Sequence, residues 1–160
     1  VNRRGGDKMK ILRATPKDAR KISILRRKTL KEINKNDYPK VFLQFLIKEN
    51  STRGIINKMK ERDMFCAWQG DNLLGTIDLS GNKIGGLFIN SSAIGKGIGT
   101  QLMDFIENYA RSKKIKQVRL YSTKFAFNFY KKRGYRYVPS GYWIIGKSRV
   151  KDKVMRKEIR

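Results

Sequence analysis

The stretch from residue 83 to residue 122 combines two short apolar segments with a glycine-rich loop and a long amphipathic segment between them. "KIGGLFIN" (83–90) and "QVRLYS" (117–122) have the length and residue types of strands, and apolar residues recur at helical spacing over roughly 97–113. A strand–helix–strand unit predicts a parallel strand pair joined by a right-handed crossover. Ligands of such units bind beyond the carboxyl ends of the strands, where the loop "AIGKGIG" (93–99) falls.

This loop has no side chain at Gly95, Gly97 and Gly99, directly before the predicted helix. It is not a dinucleotide fingerprint, whose third glycine would fall on Thr100 or Leu102, and it is not a P-loop, which needs Ser or Thr where Gly97 stands. A glycine-lined turn at a helix N-terminus presents unpaired N–H groups and the positive end of the helix dipole to an anion. A tight turn without a ligand is the alternative.

The rest of the chain predicts a single α+β domain over 9–160, preceded by a flexible leader over 1–8. Helical patterns cover 15–33, 40–48, 51–60 and 124–133, and strand patterns cover 9–14, 64–68 and 73–79, with "YRYV", "GYWIIG" and "KVMRKEI" as closing strands. In the helix over 97–113, Glu107 and the other polar residues are expected to face solvent. We therefore expect a mixed, mostly antiparallel twisted sheet flanked by helices, with one central parallel strand pair.

The composition is strongly basic, with 38 Lys and Arg against 13 Asp and Glu and a net charge of +25. Such a field attracts anions, so a nucleic acid, a phosphorylated cofactor or an acidic substrate is expected as a partner, with solvated lysines as the alternative. The absence of His and the single Cys66 argue against a metal site and against a disulfide framework. With no apolar run of membrane-spanning length and no secretory signal, the expectation is a cytoplasmic protein without a membrane partner.

Two motifs within this pattern resemble those of the GNAT N-acetyltransferase superfamily. Members typically carry Gln or Arg, two variable residues and then Gly-x-Gly or Gly-x-Ala in a loop that wraps the pyrophosphate of acetyl-CoA. Here Gly97 and Gly99 fill the glycine places and Ile94 stands at the Gln/Arg place. The second motif is "STKFAFNFYKKRGYRYV" (122–138), in which an aromatic–Tyr pair ends a helix and a Gly–aromatic step enters the next strand.

The resemblance implies that an amine attacks acetyl-CoA directly in a ternary complex, without a metal. It implies contacts to the cosubstrate from the main chain of the strand over 83–90, from the glycine loop and from the helix over 124–133. The residues implied are Leu87, Phe88, Ile89, Ile94, Gly95, Lys96, Gly97, Ile98, Gly99, Thr100, Thr123, Phe129 and Lys132.

Two residues are candidates for proton transfer. Tyr130 is the expected acid, because a phenol with a pKa near 10 stays protonated at pH 7 and can donate to a leaving thiolate. Asp78 is the candidate base, since "KIGGLFIN" contains no carboxylate, and a water relay is the alternative to it. Cys66 is expected in the core.

The acceptor is expected to be a small-molecule or peptide primary amine, with an acidic acceptor favoured by the charge. Two other classes stay open: a basic protein that binds nucleic acid or the ribosome, and a non-catalytic acyl-CoA sensor. The oligomeric state is open as well, with a homodimer as one option.

Overall fold

The computed structural model describes residues 8–139, 142–145, 148–151 and 153–160; most of the expected leader over 1–8 lies outside them. The helices are α1 (Ala19–Glu32), α2 (Lys40–Glu49), α3 (Thr52–Glu61), α4 (Ile98–Ser112) and α5 (Phe127–Lys132). The strands are β1 (Lys10–Arg13), β2 (Asp63–Gln69), β3 (Asn72–Ser80), β4 (Lys83–Ile89), β5 (Gln117–Ser122), β6 (Arg136–Val138), β7 (Tyr142–Ile145), β8 (Ser148–Lys151) and β9 (Lys153–Glu158).

Seven strands form one sheet in the order β1-β2-β3-β4-β5-β9-β6. In the part of the chain that the structure describes, β4 and β5 are its one parallel pair, and the other neighbours are antiparallel. The predicted α+β sheet, with its central parallel pair and flanking helices, is therefore confirmed.

Two elements differ from the prediction. "GYWIIG" was expected as a closing strand of the sheet, but β7 pairs with β8, which the sequence pattern did not indicate, in a separate two-stranded sheet. The helix expected over 124–133 begins only at Phe127. The hydroxyl of Thr123 accepts a hydrogen bond from the backbone N–H of Ala126 at 3.2 Å, which closes a turn before the helix.

The core has two layers, one on each face of the sheet. On one face, α4 buries Leu102, Met103, Ile106 and Ala110 against β3, β4, β5 and β9. On the other face, α1 and α3 pack Ile22, Leu25 and Ile55 against β2 and β3. No helix among the described residues is long and apolar enough to cross a membrane.

Glu107 of α4 was expected to face solvent, and this prediction is wrong. The residue is 3% exposed, and its carboxylate accepts hydrogen bonds from the hydroxyl of Tyr135 at 2.9 Å and from Nζ of Lys157 at 3.0 Å. A guanidinium nitrogen of Arg133 lies 3.3 Å away. The carboxylate is buried because three groups distant in sequence satisfy it.

Candidate active site

The glycine loop leads directly into the N-terminus of α4. Gly95 and Gly97 both have φ near +78°, a left-handed conformation that glycine adopts without strain, and Gly97 is the N-cap of the helix. The first intrahelical bond runs from the N–H of Gln101 to the carbonyl of Gly97 at 3.1 Å. The amides of Ile98, Gly99 and Thr100 precede that bond, so they are the donors that a helix leaves for an external acceptor.

Gly99 allows close packing between the glycine loop, β4 and α5. It lies in the first turn of α4, and a Cβ built there would be 3.5 Å from Cζ of Phe129 and 4.0 Å from Cδ1 of Ile89. The loop, the end of β4 and the start of α5 therefore meet at this point. Three of the residues implied as cosubstrate contacts are thus brought together.

Beside this loop, β4 and β5 separate. Their ladder within the described residues is a single register pair, Lys83 with Arg119. Farther along, β4 contains a β-bulge: its residues Gly86 and Leu87 together lie opposite the single residue Ile77 of β3. Gly86 of this bulge has φ +59°. Toward β5, the rest of β4 is an open strand edge whose main-chain groups can bind a ligand. This agrees with the placement of Leu87 and Ile89 as main-chain contacts, which stays a prediction.

Tyr130 lies on the α4 side of the sheet. The residue is 7% exposed, and its ring packs edge-on against the rings of Phe129, at 5.3 Å between centroids, and Tyr135, at 5.7 Å. Burial raises the pKa of the Tyr130 phenol above its ordinary value. The phenol therefore stays protonated at every physiological pH.

The other implied contacts lie around this centre. Ile94 and Lys96 are exposed on the loop, Lys132 is exposed at the end of α5, and the Thr123 hydroxyl is engaged in the turn before α5. The Phe88 side chain points to the opposite face of the sheet, where the guanidinium of Arg26 lies 5.1 Å from its ring centroid.

Asp78 also lies on that opposite face, on β3 beside Gly85 of the bulge. The residue is 1% exposed; its Oδ2 is 3.2 Å from Nη2 of the equally buried Arg26, and its Oδ1 is 3.6 Å from Nη1 of Arg62. Nη2 of Arg26 also donates to the Gly86 carbonyl at 3.3 Å. The candidate base is therefore held in a buried ion pair against the bulge, on the face opposite to Tyr130.

Sequence reasoning missed the cations around Asp78. Arg26 occurs four residues after the buried Ile22, within the apolar stripe of α1, and a charge in such a stripe is the signal that could have revealed it. Lys58 of α3 completes the group: burial, and then the charges of Arg26 and Arg62, lower its pKa to about 8. Two guanidiniums thus contact one carboxylate, Lys58 is close enough for its charge to interact with theirs, and the net charge between α1, α3 and the bulge is positive.

Comparisons with known proteins identify the family. A family model for the acetyltransferase (GNAT) domain matches residues 25–142. The chain therefore belongs to the GNAT acetyltransferase family, as the two motifs indicated. The comparison with curated protein sequences finds no match.

Solved structures share the fold over nearly the whole chain. A GCN5-related N-acetyltransferase (aminotransferase, class II) from Rhodopseudomonas palustris has a TM-score of 0.84 and 17% identity, covering 98% of this chain and 99% of its own. The PaiA N-acetyltransferase from Thermoplasma acidophilum, in complex with coenzyme A, has a TM-score of 0.78 and 21% identity, with 94% and 99% covered. An aminoglycoside 6'-N-acetyltransferase complexed with coenzyme A has a TM-score of 0.64 and 20% identity, with 94% and 97% covered.

Proposed function

We propose that this chain transfers the acetyl group of acetyl-CoA to a primary amine in a ternary complex. The observation that carries the proposal is the glycine-lined N-terminus of α4 beside the open edge of β4. Family membership supports acetyl transfer, and two proteins of the same fold bind coenzyme A. Localisation in the cytoplasm is part of the proposal, since the one cysteine is a buried free thiol.

In this proposal the cosubstrate is held mainly by backbone groups. The amides of Ile98, Gly99 and Thr100 bind its pyrophosphate, and the charges of the exposed Lys96 and Lys132 add attraction. The main chain of Leu87 and Ile89 holds the pantetheine arm along the edge of β4. Phe129 forms an apolar wall beside Gly99.

The reaction forms one bond and breaks one. The lone pair of the neutral amine attacks the thioester carbonyl carbon, the C–N bond forms, and the C–S bond breaks. Tyr130 donates a hydrogen bond, and then its proton, to the departing thiolate. The amine nitrogen releases one proton as the C–N bond forms, and the Tyr130 phenolate takes one proton back from solvent, so the protons balance. A lysine-like amine must first lose a proton at a cost of about 4.6 kcal/mol at pH 7.

Two routes are open for the proton of the amine. Asp78 is one, and a chain of waters to bulk solvent is the other. The placement of Asp78 favours the water route, because its carboxylate is 1% exposed, is engaged by Arg26 and Arg62, and lies on the sheet face opposite to Tyr130. If an Asp78→Asn variant keeps its fold and its activity, the proton of the amine leaves through water and not through Asp78.

The excess of positive charge around Asp78 also bears on the acceptor. Two guanidiniums share the one carboxylate of Asp78 and Lys58 lies nearby, so this region repels polyamines and attracts amines that carry a carboxylate or phosphate. We therefore expect acidic amines, such as amino acids and acidic peptides, to be acetylated faster than polyamines at low salt.

Thiol release from acetyl-CoA across a panel of primary amines tests the proposal. We expect Tyr130→Phe to lower kcat by about a hundredfold or more with little change in the KM for acetyl-CoA. Tyr137→Phe, at an exposed tyrosine of β6, is the matched control and should retain full activity. Binding of coenzyme A without turnover of any amine would indicate a sensor instead, and a calorimetric titration without coenzyme A binding would refute the proposal.

A further inference from the structure

Four cationic side chains stand side by side across the C-terminal half of the seven-stranded sheet. The register pairs Lys83 of β4 with Arg119 of β5, Arg119 with Arg156 of β9, and Arg156 with Arg136 of β6. We call these four residues the cationic row. With neighbouring strands about 4.8 Å apart, the row is about 14 Å long.

The cationic row lies on the sheet face away from α4. Val118 and Leu120 of β5 and Met155 of β9 are buried in the core against α4, and alternation along a strand directs Arg119 and Arg156 to the other face. The three arginines of the row are exposed, and the ammonium of Lys83 lies 4.3 Å from the ring centroid of Tyr121 in the next row.

The charges of the three arginines are not neutralised within the described part of the chain, where no carboxylate lies within 4.0 Å of them. Glu158 is on the same face of β9, two residues from Arg156, but it accepts from the Gln117 amide at 2.9 Å and pairs with Arg160. Like charges directly opposite each other destabilise a sheet. The row therefore costs stability in the free protein, and a bound anion would relieve that repulsion.

The surroundings of the row extend the same charge. Residues 111–160 contain 17 Lys and Arg and only two acidic residues. Protein–protein interfaces are depleted of charged residues at their centre, whereas interfaces with nucleic acids are strongly positive. The planar guanidinium, which makes up three of the four groups, fits phosphate oxygens with two parallel hydrogen bonds.

We propose that this face of the sheet docks the phosphate backbone of a nucleic acid, with the arginines of the cationic row on successive phosphates. The contact is independent of the proposed acetyl transfer, because it uses the C-terminal half of the sheet rather than the glycine loop. It is sequence-independent, since it involves no base edges.

Fluorescence anisotropy with a labelled single-stranded oligouridylate of about 20 nucleotides tests the proposal, read at salt concentrations from about 50 to 200 mM. The test variant is Arg119→Gln/Arg156→Gln. The control is Arg20→Gln/Arg27→Gln, which removes the same charge from exposed positions of α1.

We expect the test variant to weaken binding about tenfold or more at low salt, and to reduce the slope of log K against log salt by about 1.4, which corresponds to two phosphate contacts. The control should change the affinity less than about twofold at the same salt. The thermal midpoint of the test variant should equal or exceed that of the wild type, because the repulsion within the row is gone.

Four results would overturn the proposal. Equal losses in both double variants would mean that only the diffuse field of the protein attracts RNA. Binding of a polyglutamate peptide as tightly as the oligonucleotide would point to an acidic protein as the partner. No RNA binding by the wild type at low salt, or a lowered thermal midpoint in the test variant, would remove the basis of the argument.

Discussion

Gly86 is a position at which one added methyl group should damage this fold severely. The residue has φ +59°, and a Cβ built on it would overlap Oδ2 of Asp78 and lie 2.5 Å from Nη2 of Arg26. Gly81 is a matched control, because it has φ +57° and no atom within 4 Å of its Cβ position. The two glycines share a backbone conformation and differ in what surrounds them.

The expected magnitudes follow from that difference. A left-handed conformation costs an L-residue about 1 to 2 kcal/mol, and Gly81→Ala should lose no more than this. Gly86→Ala carries the same cost and also forces apart the buried Arg26–Asp78 pair, and breaking such a pair costs about 3 to 5 kcal/mol. We therefore expect Gly86→Ala to lower the free energy of unfolding by about 4 to 7 kcal/mol, which approaches the total stability of many domains.

Urea unfolding followed by circular dichroism measures both variants. A double-mutant cycle sharpens the test, because Gly86→Ala should cost much less in an Asp78→Ala background, where the ion pair is already lost. If Gly86→Ala and Gly81→Ala differ by less than about 1 kcal/mol, or if the cycle shows no coupling, the close approach of the bulge to the ion pair is wrong.

Three further predictions concern groups outside the glycine loop. Burial alone would raise the pKa of Asp63, but hydrogen bonds led by those from Lys113 and Tyr109 lower it to about 2. The thermal midpoint of Asp63→Asn should therefore lie below that of the wild type at pH 6. The two midpoints should converge as the pH falls from about 4 toward 2. Glu107→Leu should lose about 3 kcal/mol in urea unfolding, because it leaves a buried hydroxyl and an ammonium unpaired, and Glu107→Gln should lose less. Burial raises the pKa of the Cys66 thiol to about 12, so native protein should resist alkylation at pH 8 and react only when unfolded.

The parts of the fold that the sequence predicts are those whose signal is local. The helix expected over 97–113 is observed as Ile98–Ser112, because one apolar stripe and one glycine loop define both its face and its start. Two consecutive glycines inside a strand pattern, as at Gly85 and Gly86, indicate a bulge, and the structure has one there. The family resemblance, which depends on short motifs, is confirmed by the family model.

The parts that could not be predicted depend on contacts between distant segments. Asp78 meets Arg26 across 52 positions, and Glu107 meets Lys157 across 50, so neither pattern nor composition could indicate that these groups are buried together. The strand β8 has no separate signal because its residues are mostly polar. The roles of Tyr130 and Asp78 in proton transfer, and the contacts of the loop residues with the cosubstrate, stay predictions.

The early separation of β4 from β5 has a mechanical consequence. Among the described residues, one register pair joins β1–β4 to the strands β5, β9 and β6, so these two halves of the sheet are held together mainly by α4 packed across both. A molecule bound between the separated strands would form hydrogen bonds with both strand edges and so hold the two halves of the sheet together. Amide hydrogen exchange along β4 and β5 should therefore slow markedly in the bound protein, even at positions that the ligand does not touch.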